Sequence, residues 1–184
     1  MKRPAFFAAV IFLFSLPLFP GSAFAQRMLN ISAAGDATTS DPLVACTIIR
    51  PEGRELILYF IAEAVTPNTD PYLVFEDLST GFEAANASWI DHMQDLADRE
   101  DDPRTVQQVI EFFEEALGRS PNNPTDAALS FTFTRNTSVC IFGYQEFVGE
   151  GEISLQITDI TDAFKSQKSS LTGVLSPPPV FPGQ

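Results

Sequence analysis

The sequence predicts a mostly β protein: an antiparallel β-sandwich of jelly-roll or Greek-key type, with a helical insertion capping one end. Three observations carry this. Short runs rich in β-branched, aliphatic and aromatic residues recur between clusters of Gly, Pro, Asn, Asp and Ser, the pattern of strands and turns. One central stretch instead repeats its apolar residues at spacings of three and four, the period of an amphipathic helix. Two cysteines, Cys46 and Cys140, stand in separate apolar runs, where they suit a bridge between strands.

The first strong strand is Leu43 to Ile49, closed by the turn Pro51-Glu52-Gly53. Next comes Glu55 to Ala62, in which Leu56, Leu58, Phe60 and Ala62 interleave with Ile57, Tyr59 and Ile61. Apolar residues on both phases imply a strand covered on both faces. Thr66 to Pro71 is a loop by composition, Tyr72 to Glu76 resumes as a strand, and Ser79-Thr80-Gly81 turns the chain into Phe82 to Ala85. The insertion spans 90–118. Its first part, Ile90 to Ala97, reads as a short helix. Its second begins at Asp102-Pro103, an N-cap followed by proline, and carries Val106, Val109, Ile110, Phe113 and Leu117 to a stop near Gly118. After Asp126, Leu129, Phe131 and Phe133 alternate with Ser130, Thr132 and Thr134, giving one apolar and one polar face. Ser138 to Tyr144 and Glu152 to Ile160 complete the strands.

The chain divides into a signal peptide (1–25), a polar lead-in (26–41), the sandwich (42–164) and a proline-rich tail (165–184) expected to be disordered. Lys2 and Arg3, an apolar stretch from Ala5 to Phe19 and the end Ala23-Phe24-Ala25 are the three parts of an export signal. The apolar stretch is shorter than the roughly 20 residues that span a bilayer, and Pro17 interrupts it, so no stable membrane insertion is expected after cleavage. Cleavage removes Lys2 and Arg3 and no acid, so the formal charge of -13 becomes -15. Basic residues, 11 against 24 acidic, are too few to neutralise a polyphosphate, which argues against nucleic acid. Export favours a Cys46–Cys140 disulfide, in the periplasm or outside the cell.

A set of short motifs then occurs in order: Asp70-Pro71-Tyr72-Leu73, Asn86-Ala87-Ser88-Trp89, Thr125-Asp126-Ala127-Ala128-Leu129, and Phe142-Gly143-Tyr144 followed by Gly149-Glu150-Gly151. Between Leu56 and Thr161 this order resembles the β-sandwich modules of bacterial secreted and cell-surface proteins, in the style of the pre-peptidase C-terminal (PPC) domains. The resemblance implies an accessory module rather than a catalyst. Modules of that kind often carry an acidic N-D-D-W turn able to take calcium. Here the turn reads Asn86-Ala87-Ser88-Trp89 and lacks the middle carboxylates. That leaves Asp77, Asn86 and Asp91 as possible oxygen donors, against the six to eight ligands calcium usually takes.

Physical chemistry reads the same motifs as fold maintenance: Trp89 folds back over the core, and Thr125 and Asp126 satisfy backbone donors at the helix-to-strand junction. His92, the single histidine, has no G-x-S-x-G partner motif, so no catalytic residue is assigned and no cofactor is expected. Adjacent acids such as Asp101-Asp102 and Glu114-Glu115 read as solvated charge. The expected function is a non-enzymatic exported module binding a protein or an extracellular glycan, with Trp89, Tyr72 and Tyr144 as candidate aromatic contacts. Two alternatives stand beside it. One is a small secreted hydrolase using paired carboxylates, the other a periplasmic inhibitor or chaperone-like protein presenting the helix from Pro103 to Leu117.

Overall fold

A computed structural model of the chain describes residues 31–99, 105–118, 125–166 and 176–181. The signal segment 1–25 and the helix start read at Asp102-Pro103 lie outside the described residues. Among the described residues eight strands form two antiparallel sheets of four. Strands β1 (Ile31–Ala37), β8 (Gly151–Asp159), β3 (Leu56–Ala64) and β6 (Ala127–Phe133) make the first, in the order β1-β8-β3-β6. Strands β2 (Leu43–Ile49), β7 (Thr137–Gln145), β4 (Pro71–Asp77) and β5 (Phe82–Asn86) make the second, in the order β2-β7-β4-β5.

The sheets stack face to face, and alternation decides what lies between them. Leu56, Leu58 and Phe60 of β3, Leu73 and Phe75 of β4, Val139 and Ile141 of β7, and Ile153, Leu155 and Ile157 of β8 fill one continuous interior. The interior leaves little room at one glycine. A Cβ at the inward position Gly143 would stand 2.9 Å from Leu155 Cδ2 and 3.1 Å from Ile153 Cγ2.

The other phase of β3 builds a second apolar layer. Ile57, Tyr59 and Ile61 pack beneath α1 (Trp89–Ala97), α2 (Val106–Leu117) and α3 (Thr161–Ser166), against Trp89, Met93, Leu96, Val109, Phe113 and Phe164. The helical insertion therefore covers the outer face of the first sheet, and does not cap an end of the sandwich as the sequence pattern suggests. The two-phase apolar run of β3 is the cause: its second row needs a cover, and the helical stripe supplies it. Ser130 and Thr132 of the polar row of β6 are also buried, the first beneath α1 and the second against the segment 176–181. Ser130 bonds His92, and Thr132 donates its hydroxyl to the Pro178 carbonyl.

Three further expectations are corrected. The lead-in 26–41 is not uniformly irregular, because Ile31–Ala37 pairs along the edge of β8 from Ile31↔Ile157 to Ala37↔Gly151. Helix α2 is capped by Thr105 rather than at Asp102. The Thr105 side chain accepts from the Gln108 N–H and the Gln108 side chain reaches back to the Thr105 N–H, a capping box. Of the tail expected to be disordered, the described residues 176–181 return to the fold. Thr132 N–H donates to Pro179 (3.0 Å), Phe181 N–H donates to Thr132 (2.8 Å), and Phe181 is 1% exposed within the interior.

The cysteines are bonded. Cys46 lies directly opposite Cys140 on the paired strands β2 and β7, with Cα atoms 4.1 Å apart. The bridge thus joins neighbours within one sheet, on its outward face, and does not staple the two layers together.

Candidate functional site: the outer face of the second sheet

No helix covers the second sheet among the described residues, and its outward row is unusually apolar for an open face. Outward positions are Val44, Cys46 and Ile48 on β2, Ser138, Cys140, Phe142 and Tyr144 on β7, Tyr72, Val74 and Glu76 on β4, and Glu83 and Ala85 on β5. Register arranges them into rows across the sheet. Tyr72 stands opposite Tyr144; Val44, Phe142, Val74 and Ala85 form the next row; Cys46, Cys140, Glu76 and Glu83 form the third. Val44 and Ile48 are 44% and 47% exposed, and both tyrosines are half-buried. The β7–β8 loop leaves from the tyrosine end and carries Phe147 and Val148, which are 62% and 99% exposed. The surface therefore offers aromatic and aliphatic contact at one end and carboxylates toward the other.

Of the aromatic trio named from sequence, two come together here. Tyr72 and Tyr144 are directly opposed, side chains on the same face. Trp89 does not join them. It opens α1, is 7% exposed, and belongs to the apolar layer under the helices. Phe142, Val44 and Phe147 escape a reading of the sequence, because residue type alone does not say which phase of a strand meets solvent.

The three oxygen donors considered for calcium are not assembled. Asp77 pairs with Phe82 at one end of the β4–β5 hairpin and Asn86 with Leu73 at the other, four residues of strand or about 13 Å apart. Each has local work. Asp77 accepts from the Ser79 N–H (2.7 Å) and the Thr80 hydroxyl (2.8 Å), closing the hairpin turn. Burial alone would raise its pKa, but these bonds outweigh it and hold the carboxyl below the ordinary value. Asn86 accepts from the Ser88 N–H, and Asp91 is exposed in the first turn of α1. Among the described residues no group of three or more His, Cys, Asp or Glu is placed to hold a metal ion.

His92 is the one histidine of the chain and lies beneath α1, with Nε2 2.8 Å from Ser130 Oγ. His92 and Ser130 are 6% and 1% exposed, so this His-Ser pair has no open approach for a substrate. Burial pushes the imidazole pKa down to about 4, leaving it neutral. Asp126 serves the fold as the sequence suggests: its carboxylate accepts the Ala64 N–H (3.0 Å), tying the end of β3 to the start of β6.

No protein-family model matches the chain, and no curated protein matches it in sequence. Among the described residues no helix is long and apolar enough to cross a membrane.

Proposed function

We propose that the chain is an exported, non-enzymatic β-sandwich module, of the same kind as the PPC domains, that binds a protein or an extracellular glycan on the outer face of its second sheet. The observation that carries this is the opposed pair Tyr72 and Tyr144 on an open sheet face, continued by Phe142, Val44 and the exposed Phe147. Tyrosines present flat apolar rings with a polar tip and lose little conformational freedom on binding, which suits both sugar rings and protein side chains. A fixed sheet holds such contacts more rigidly than a loop.

Export is supported by the N-terminal signal pattern and by the disulfide, a bond that persists in oxidising compartments. The non-enzymatic reading is supported by how the buried polar groups are used. His92 is sealed against Ser130, and Asp77, Asp126 and Glu63 accept hydrogen bonds that hold turns and strands.

The test is binding of the mature protein to cell-wall and extracellular polysaccharides and to envelope proteins, run beside a Tyr72→Ala/Tyr144→Ala variant. Binding that the double variant loses, with amide shifts confined to β2, β7 and β4, is the expected result. Binding that survives the double substitution undiminished would remove the assignment of this face.

A further inference from the structure

A different part of the molecule seats the chain's own segment 176–181 between the two sheets. Strand β6 ends the first sheet and β5 ends the second, so their edges border one open side of the sandwich. An aromatic pocket lies along that side, formed by Phe75 of β4, Phe82 of β5, and Phe131 and Phe133 of β6. The Phe181 ring fills it with centroid separations of 5.2, 5.0, 5.4 and 5.2 Å respectively. The backbone of the same segment adds to the β6 edge in parallel. Thr132 gives its N–H to Pro179 and receives the N–H of Phe181, while its hydroxyl bonds the Pro178 carbonyl.

An unpaired strand edge beside an apolar pocket is how folded domains take extended peptides: the main chain supplies affinity and the pocket supplies selectivity. The seated segment has the matching chemistry. Pro177, Pro178 and Pro179 hold the chain extended at low entropic cost, Val180 faces outward at 52% exposure, and Phe181 is the anchor. Among the described residues its strand pairing runs through Thr132 of β6, and Arg99 donates to the Pro177 carbonyl. That ladder is shorter than the seven-residue registers inside the sheets.

We propose that this groove is a peptide-binding site for extended segments of the pattern proline-proline-x-aromatic. The C-terminal segment occupies it in cis as a resident ligand, and a partner protein's segment of the same chemistry displaces it. The inference does not depend on the tyrosine face.

The probe is a synthetic peptide covering 176–181, blocked at both ends, and a control peptide with alanine in place of the phenylalanine. The receptor is the full mature chain, as wild type and as Phe181→Asp, in which a carboxylate expels the segment from the pocket. A tethered segment acts at an effective concentration near millimolar, so the peptide is expected to bind the variant about a hundredfold more tightly than wild type. The alanine peptide is expected to bind neither. Equal binding to both proteins, or none to the variant while it retains its β-sheet spectrum, overturns the proposal.

Hydrogen exchange on the unmodified protein tests the same point even if the variant does not fold. The Thr132 and Phe181 amides are expected to exchange by local opening, at least about tenfold faster than those of Val139 and Ile141. Equal protection would mean that the segment leaves only on global unfolding, and would overturn the proposal. Concentration-dependent dimerisation of wild type that Phe181→Asp abolishes would assign the displacing segment to a second copy of this chain, against a foreign partner.

Discussion

Acidification is expected to weaken this fold through His92 by an amount the structure sets. The imidazole lies beneath α1 with its pKa pushed from 6.5 to about 4 by burial. Above pH 6.5 neither the folded nor the unfolded chain protonates it, and its contribution to stability is fully present. Between pH 6.5 and 4 only the unfolded chain binds the proton, so stability falls as pH falls. A drop of that size, at about 1.4 kcal/mol per tenfold, amounts to about 3 kcal/mol by pH 4. For a domain of this size that corresponds to a fall in Tm of about 6–12 °C. Carboxylates titrate over part of the same range, so the clean measurement is a difference. Urea unfolding of wild type and His92→Gln at pH 7 and pH 4 should show wild type losing about 3 kcal/mol more than the variant across that interval. Because the chain has a single histidine, its imidazole signal can be followed by NMR without ambiguity. Titration near 6.5, or equal acid losses in the two proteins, would refute the reasoning.

Other perturbations have equally direct readouts. Replacing both cysteines by serine opens a 94-residue separation and should cost up to about 4–5 kcal/mol of denatured-state restraint, read as a lower urea midpoint. Gly143→Ala forces a methyl against Leu155 and Ile153 and should destabilise by about 1–3 kcal/mol, measured the same way; a neutral result would mean that the two layers yield more readily than their packing implies. Thr105→Ala removes the α2 cap and should cost about 1 kcal/mol, with the loss of amide protection confined to the first turn of that helix.

How much of the fold is legible in the chain follows the range of the forces involved. Strands β2 to β8 announce themselves because alternation and turn chemistry are local, and the double apolar row of β3 signals that something covers both of its faces. What that cover is depends on where the helices dock, a tertiary fact. Strand β1, Ile31–Ala37, contains three alanines, a glycine and an aspartate and has little strand preference of its own; the free edge of β8 makes it a strand. Phe181 is hidden for a similar reason. Its neighbours are prolines that carry no periodic signal, and its four ring partners lie 48 to 106 residues earlier in the chain. At the candidate site the residue types Tyr72 and Tyr144 are legible, but their opposition requires the β4–β7 register. Trp89 belongs to a different surface from the one its residue type suggests, since a tryptophan opening an amphipathic helix is as well suited to the interior.

The placement of the disulfide bears on how the molecule would come apart. Among the described residues strand β2 is the border of its sheet, paired with β7. With Cys46 exposed and the bridge running only to that partner, reduction leaves β2 secured by ladder bonds and side-chain burial alone. If it detached, β7 would present a bare backbone flanked by Val139, Ile141 and Phe142, a ready template for other chains to add to. The bond therefore holds β2 to β7 at this margin, and turbidity on gentle reduction is expected to rise before the melting profile reports loss of the remaining sandwich.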